Sequence, residues 1–392
     1  MAHKRKRFRE ILIILLFLVY FFLAARPIPK EIILAPKWIS SLESSSLETS
    51  SLKNPNVQSI DDRDLNLFPF LLGSHYGYID SDGKFAVNRD LSFNIYLGRN
   101  MWTEYDAQPD RIEIKDILEE PVINIENPGG YPVLLDDRVF ILGSDQNSLS
   151  EIDKNGKTVW KYEFGAPLTC MDAKAGLVLT GSLDGIIEIF NSAGERIFHF
   201  APGGSRYEVI LGCAISHDGS RIGIISGIDR QRFLFLERAG NINDDYKVIY
   251  HEYLDTGFRR PVRVIFIDED KRVIYERTDG VGFYNIKNRR ALFIPLEGDI
   301  YTCEESGDQG FLFIVTSSHD SMMSEDGNIV SGKELIGIRF PRDRWFPFSY
   351  LNKTNPVFLR APFKSDDAFL GRNSGLVVGG GTVLISFDLE EK

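Results

Sequence analysis

The residues with chemical potential in this 392-residue chain are few and scattered. Its six histidines are His3, His75, His199, His217, His251 and His319, and no two have the spacing of a metal-binding pair such as HExxH. His217 and His319 each precede an aspartate, but neighbours on a strand point to opposite faces, which argues against an acid–base pair. Asp80-Ser81-Asp82-Gly83 has the opening of a calcium loop, yet it lacks a third ligand. Leu91 stands where the twelfth-position glutamate belongs. Gly379-Gly380-Gly381 lacks the Lys-Ser/Thr of a phosphate loop. Cys170, Cys213 and Cys303 are far apart and odd in number, so they signal neither a zinc site nor a disulfide framework. From these residues no catalytic, metal or cofactor-binding residue is assigned, and no cofactor is expected.

One stretch has the composition of a contact surface. Arg339, Arg342, Arg344, Trp345, Phe346 and Phe348 are interleaved with prolines. Arginine and aromatics dominate interface hot spots, and the prolines break sheet pairing and favour a projecting loop. A second basic group, Arg259, Arg260 and Arg263, reads as a solvated rim more readily than as an anion site. The chain carries a net charge of −11, of which the first ten residues contribute +4, leaving −15 for the rest. Such a balance argues against general nucleic-acid binding.

The elements that position these residues are strands. Phe140-Ile141-Leu142-Gly143-Ser144 leads to Ile152-Asp153-Lys154-Asn155-Gly156 and Trp160. The same phrase returns as Val178-Leu179-Thr180-Gly181-Ser182, Phe190-Asn191-Ser192-Ala193-Gly194 and Phe198, with each landmark 38 residues on. Phe70 to Lys84 is a third copy. A period near 40 built from short strands predicts an all-β chain folded as one β-propeller. Some 320 residues divide best into seven blades, with six or eight as the neighbouring divisions. Leu376 to Asp388 is expected to pair with N-terminal strands and close the ring.

The phrase from Ile152 to Trp160 resembles the blade motif of quinoprotein-like propellers, in which an aspartate, a turn glycine and a tryptophan dock adjacent blades. Ser216-His217-Asp218-Gly219 is similar to the Ser-Pro-Asp-Gly turn of WD40-like propellers, with His217 at the proline position. The likeness spans residues 66–390 and is sharp only from 139 to 226. It implies docking roles for Asp153, Gly156, Trp160, Gly194 and Phe198. A quinone-dependent enzyme of this class would carry a calcium site and a catalytic aspartate, neither of which can be assigned here.

The expected domain plan has four parts. Residues 1–10 form a basic cytoplasmic tail, and 11–25 an apolar transmembrane signal anchor. Residues 26–64 form a Ser-rich flexible tether, and 65–392 the propeller. Fifteen apolar residues rise about 22 Å as a helix, short of a hydrocarbon core of about 30 Å, so Arg9 and Arg26 would snorkel. The basic tail places the rest outside the cytoplasm, as in a bacterial periplasm. The function expected is protein binding or scaffolding for an envelope partner. The alternative is an enzyme or ligand-binding protein using the central funnel on a quinone, glycan or peptide.

Overall fold

The computed structural model describes residues 13–17, 20, 31–43, 67–238, 240, 245–255, 257–307, 310–323, 329–340, 356–372 and 375–391, with the backbone alone at 318–323, 329–331 and 391. Two compact units are distinguished, Met1–Ala35 with Leu389–Lys392, and Pro36–Asp388. In the first, the described residues are a short helical stretch and the ends of two strands.

Among the described residues the strands form eight antiparallel sheets, seven of four strands and one of three. Seven blades were expected, so this is a correction. Blade 1 holds Phe68–Leu72, His75–Ile79 and Phe85–Asp90. Blade 2 holds Asn94–Leu97, Met101–Tyr105, Arg111–Asp116 and Pro121–Glu126. Blade 3 starts at Gly130–Leu135, blade 4 at Leu168–Lys174, blade 5 at Ile210–Ile215, blade 6 at Val264–Ile267 and blade 7 at Asp299–Glu305. Blade 8 holds Ala368–Arg372, Leu376–Gly380 and Val383–Glu391, and its outer strand is the N-terminal Ile32–Ser41. The average period misleads because blade starts are spaced unevenly, from 26 residues (Phe68 to Asn94) to 69 (Asp299 to Ala368).

Two further expectations at the N-terminus change. The strand Ile32–Ser41 lies inside the segment read as a tether. Its pairing is set by the open edge of Val383–Glu391. The Trp38 indole donates to Ser81 O (2.9 Å) and the Ser40 hydroxyl to Gly83 O, fixing blade 8 on blade 1. The transmembrane helix expected at 11–25 is not shown: only residues 13–17 and 20 of that segment are described, and these are helical. Among the described residues no helix is long and apolar enough to cross a membrane.

Blade 2 shows why its repeat is faint in the sequence. In blades 1 to 4 the turn before the last strand follows one plan. The side-chain oxygen of Asp80, Asp116, Asp153 or Asn191 accepts two backbone N–H groups, two and four residues on, at 2.8–3.0 Å. Gly83, Gly156 and Gly194 supply the left-handed residue, with φ of 82°, 76° and 76°. In blade 2 Glu119 holds that conformation at 70°, so no glycine marks the turn.

Apolar clusters fill the spaces between neighbouring sheets. One joins Leu179, Ile189 and Phe198 of blade 4 to Ile215, Ile224 and Leu236 of blade 5. Others join blades 5 and 6 and blades 6 and 7, and Leu72 of blade 1 meets Val377 and Leu384 of blade 8. Because strands alternate in direction, connections fall on two faces. The turns from first to second and third to fourth strands share one face, here the turn face. The turns from second to third strands and the links between blades share the other, the connection face.

Candidate binding face

The connection face of blades 5 to 7 is where buried polar groups are spent on loops. Gln231, 2% exposed, follows the turn of blade 5. Its amide nitrogen donates to Gly227 O (3.1 Å) and Phe258 O (3.2 Å), and its oxygen accepts Phe258 N–H (3.2 Å). One side chain thus satisfies both polar atoms of a buried backbone unit in the next connection. Arg232 donates to Pro202 O and Gly203 O, and Asp229 accepts from the Ser205 hydroxyl and Arg206 N–H. Glu276, its side chain 1% exposed, takes two bonds from the Arg260 guanidinium (2.8 and 3.3 Å) and one from Arg263 N–H (3.1 Å). Arg260 also reaches Asp299 at 3.4 Å.

These ties join the segments 202–209, 227–232, 254–263 and 276–299 into one platform. Half-freed loops would lose ordering entropy on binding, and loops fixed in advance avoid most of that cost. The platform displays Tyr207 (57% exposed) and Tyr253 (45%). Arg206 stacks on Tyr207 at 5.7 Å, and Arg230 on Tyr253 at 4.7 Å. A cavity of 520 Å³ beside them is lined by Phe258, Arg259, Arg260, Thr278, Gly298 and Asp299. Bordering it, Asp299 pairs with Ser317 at the base of the blade 7 hairpin. That hairpin, Phe311–Met323 with Ile329–Arg339, outruns every other hairpin of the described structure.

The residues singled out in the sequence fall elsewhere. Arg342, Arg344, Trp345, Phe346 and Phe348 lie outside the described residues. Arg339 ends the third strand of blade 7 at the turn face, with its guanidinium 5.8 Å from the Phe311 ring. The docking residues do meet across blades. The Trp160 indole donates to Glu151 (2.6 Å), and its ring stacks on Phe190 at 5.9 Å. A Cβ on Gly194 would lie 2.4 Å from Trp160 Cγ, and one on Gly156 1.9 Å from Asn124 O. Trp38 approaches Gly83 in the same way, at 2.6 Å, which was hidden by its place in the Ser-rich segment. Phe198 instead packs on Phe200 and Tyr246. Asp153 holds its turn, and the Lys157 N–H keeps its carboxyl below the usual range.

Sequence reasoning noted the Arg259–Arg263 group but missed Gln231, Glu276, Tyr207 and Tyr253. Gln231 gave no signal because its partner lies 27 residues on. Among the described residues no three His, Cys, Asp or Glu side chains converge to hold a metal ion. Asp80, the start of the calcium-like phrase, is committed to its turn. Off the platform, burial raises three carboxyls on first strands, Asp172 of blade 4 and Glu304 and Glu305 of blade 7. Glu304 reaches about 7 although Arg372 opposes the shift.

Comparison with known proteins agrees with this architecture. An uncharacterized protein of Treponema pallidum (strain Nichols) is 28% identical over 286 residues, 73% of this chain and 74% of that one. The fold is similar to the computationally designed Ika8 protein, with a TM-score of 0.55 and 12% identity, over 82% of this chain and 96% of that one. It is also similar to BamB from Moraxella catarrhalis, with a TM-score of 0.50 and 12% identity, over 91% of this chain and all of that one. At such identities the likeness concerns the fold alone, and it includes the quinoprotein-like and WD40-like resemblance read from the turns. A family model described as beta-propeller protein matches residues 1–324, and the chain belongs to that family.

Proposed function

We propose that this protein is a binding and scaffolding propeller that holds a partner protein on the connection face of blades 5 to 7. The observation that carries the reading is the tying of separate connections by the buried Gln231 and Glu276 beneath exposed Tyr207, Tyr253, Arg206 and Arg230. Tyrosine and arginine give large contact area at low ordering cost, and they are the residue types that dominate interface energetics. Location in the cell envelope belongs to the same proposal. It is read from the basic and apolar N-terminal segments, and cell fractionation tests it.

The functional test is in-cell crosslinking followed by affinity recovery of the full chain. Tyr253→Ala combined with Arg230→Glu is expected to reduce recovery of a specific partner at least tenfold, with the fold unchanged by circular dichroism. Arg342→Ala with Trp345→Ala probes the arginine- and aromatic-rich stretch singled out in the sequence. Undiminished recovery in the Tyr253/Arg230 variant would remove the connection face from the proposal.

A further inference from the structure

The cavity beside the platform has an unusual charge balance. Arg260 is committed: Nη1 donates to Pro261 O (3.0 Å) and Glu276, and Nη2 meets Glu276 and Asp299. Two carboxylates therefore face one guanidinium. Arg259, its neighbour, is exposed and has no hydrogen-bond or ion-pair partner among the described residues. Its backbone is nevertheless held, because Gln231 fixes Phe258 from both sides. The Arg260 guanidinium lies 4.1 Å over the Phe258 ring, so one wall is a stacked cation–aromatic layer.

From this arrangement we infer that the cavity is a binding site for a single carboxylate group presented by a peptide. The inference rests on the protein-binding reading above. Arg259 offers a planar fork that matches a carboxylate with two parallel hydrogen bonds. Among the described residues of the lining, it is the one charged side chain with no ion-pair partner. Asp299 and Glu276 repel a second negative charge, so a phosphate dianion is disfavoured where a carboxylate is not. The Phe258–Arg260 wall and the volume of 520 Å³ accept the apolar or amide part that accompanies the carboxylate in a peptide. Its source is either a chain-terminal carboxylate or an acidic side chain.

Isothermal titration of the full chain tests the site with four probes: N-acetylphenylalanine, N-acetylglutamic acid α-amide, N-acetylphenylalanine amide and phenyl phosphate. At least one of the two carboxylates should bind at least tenfold more tightly than the neutral amide or phenyl phosphate. The tighter of the pair identifies a terminal or a side-chain source. Arg259→Gln should reduce that affinity at least tenfold while circular dichroism and unfolding midpoint stay unchanged. Phenyl phosphate or the neutral amide binding as tightly overturns the inference. So does an unchanged affinity in Arg259→Gln, or no binding of any probe to folded protein. If the probes fail while Tyr253→Ala with Arg230→Glu still loses the partner, the cavity assignment falls and the binding face stands.

Discussion

Blades 3 and 4 and the connection face of blades 5 to 7 use the same sheet architecture for different ends. In blades 3 and 4 the distinctive residues are Asp153, Gly156, Trp160, Asn191 and Gly194. Each is consumed by a turn or by contact with the adjoining blade. In blades 5 to 7 the distinctive residues are Gln231, Arg232, Glu276 and Arg260, and they hold connections to one another instead of sheets. The first set leaves little chemistry exposed. The second leaves Arg206, Arg230, Arg259, Tyr207 and Tyr253 on a fixed surface. Under the proposed reading, buried polar groups that order loops mark the binding part of the ring.

The contrast has measurable consequences. The largest effect is expected from Trp160→Ala. It removes an indole that is 8% exposed between blades and should cost about 3–5 kcal/mol in urea unfolding. Amide exchange of the 254–263 connection should not change. Exchange that rises there as much as in blade 4 would mean the two regions are not separable. Next, Gly194→Ala should cost about 2–4 kcal/mol, because a left-handed residue also meets Trp160 Cγ at 2.4 Å. Gly176→Ala is its control. Its φ is 73° with nothing within 4 Å, so about 1 kcal/mol of backbone strain is all that remains. Equal losses for the two would deny the docking role of Gly194.

On the connection face, Glu276→Ala strands the Arg263 N–H and leaves the Arg260 guanidinium only Pro261 O and Asp299. Since Arg260 is partly exposed, the loss should be about 1–3 kcal/mol, accompanied by faster amide exchange over 258–263. Slow exchange retained there would break the idea that Glu276 orders the face. The pH dependence separates the ring's axis from its face. Burial raises the Glu304 carboxyl from 4.5 to about 7, against the pull of Arg372 and with Glu305 adding to the rise. An acid with a raised folded pKa binds its extra proton in the folded state. Its stabilisation is fully present below 4.5 and is lost as pH rises through 7. Glu304→Gln should therefore exceed the parent by about 1–3 kcal/mol at pH 8 and match it near pH 4.5, with partner recovery unaltered. The smallest effect belongs to Arg230→Ala, within about 0.5 kcal/mol in stability, yet with partner recovery reduced. A stability loss above that would make Arg230 a folding residue.

Much of the fold is written locally. The 38-residue repeat, the Asp or Asn turns and the following glycines specify backbone dihedrals over five residues at a time. Such signals survive in the chain without knowledge of neighbours. They gave the strand class, the propeller and the expectation that the C-terminal strands meet N-terminal ones. They failed at blade 2, where Glu119 takes the glycine position, and at Trp38, whose strand was read as part of the tether that follows it. The eighth blade, completed by Ile32–Ser41 on Val383–Glu391, exists only through pairing between chain ends. The candidate face is of the same kind. Gln231 and Phe258, Arg260 and Glu276, and Arg259 and Asp299 come from different connections and become neighbours only when the sheets stack. A turn is decided by the residues within it, so its sequence reports it. A site built from several turns is decided by the geometry of the ring, which no single turn encodes.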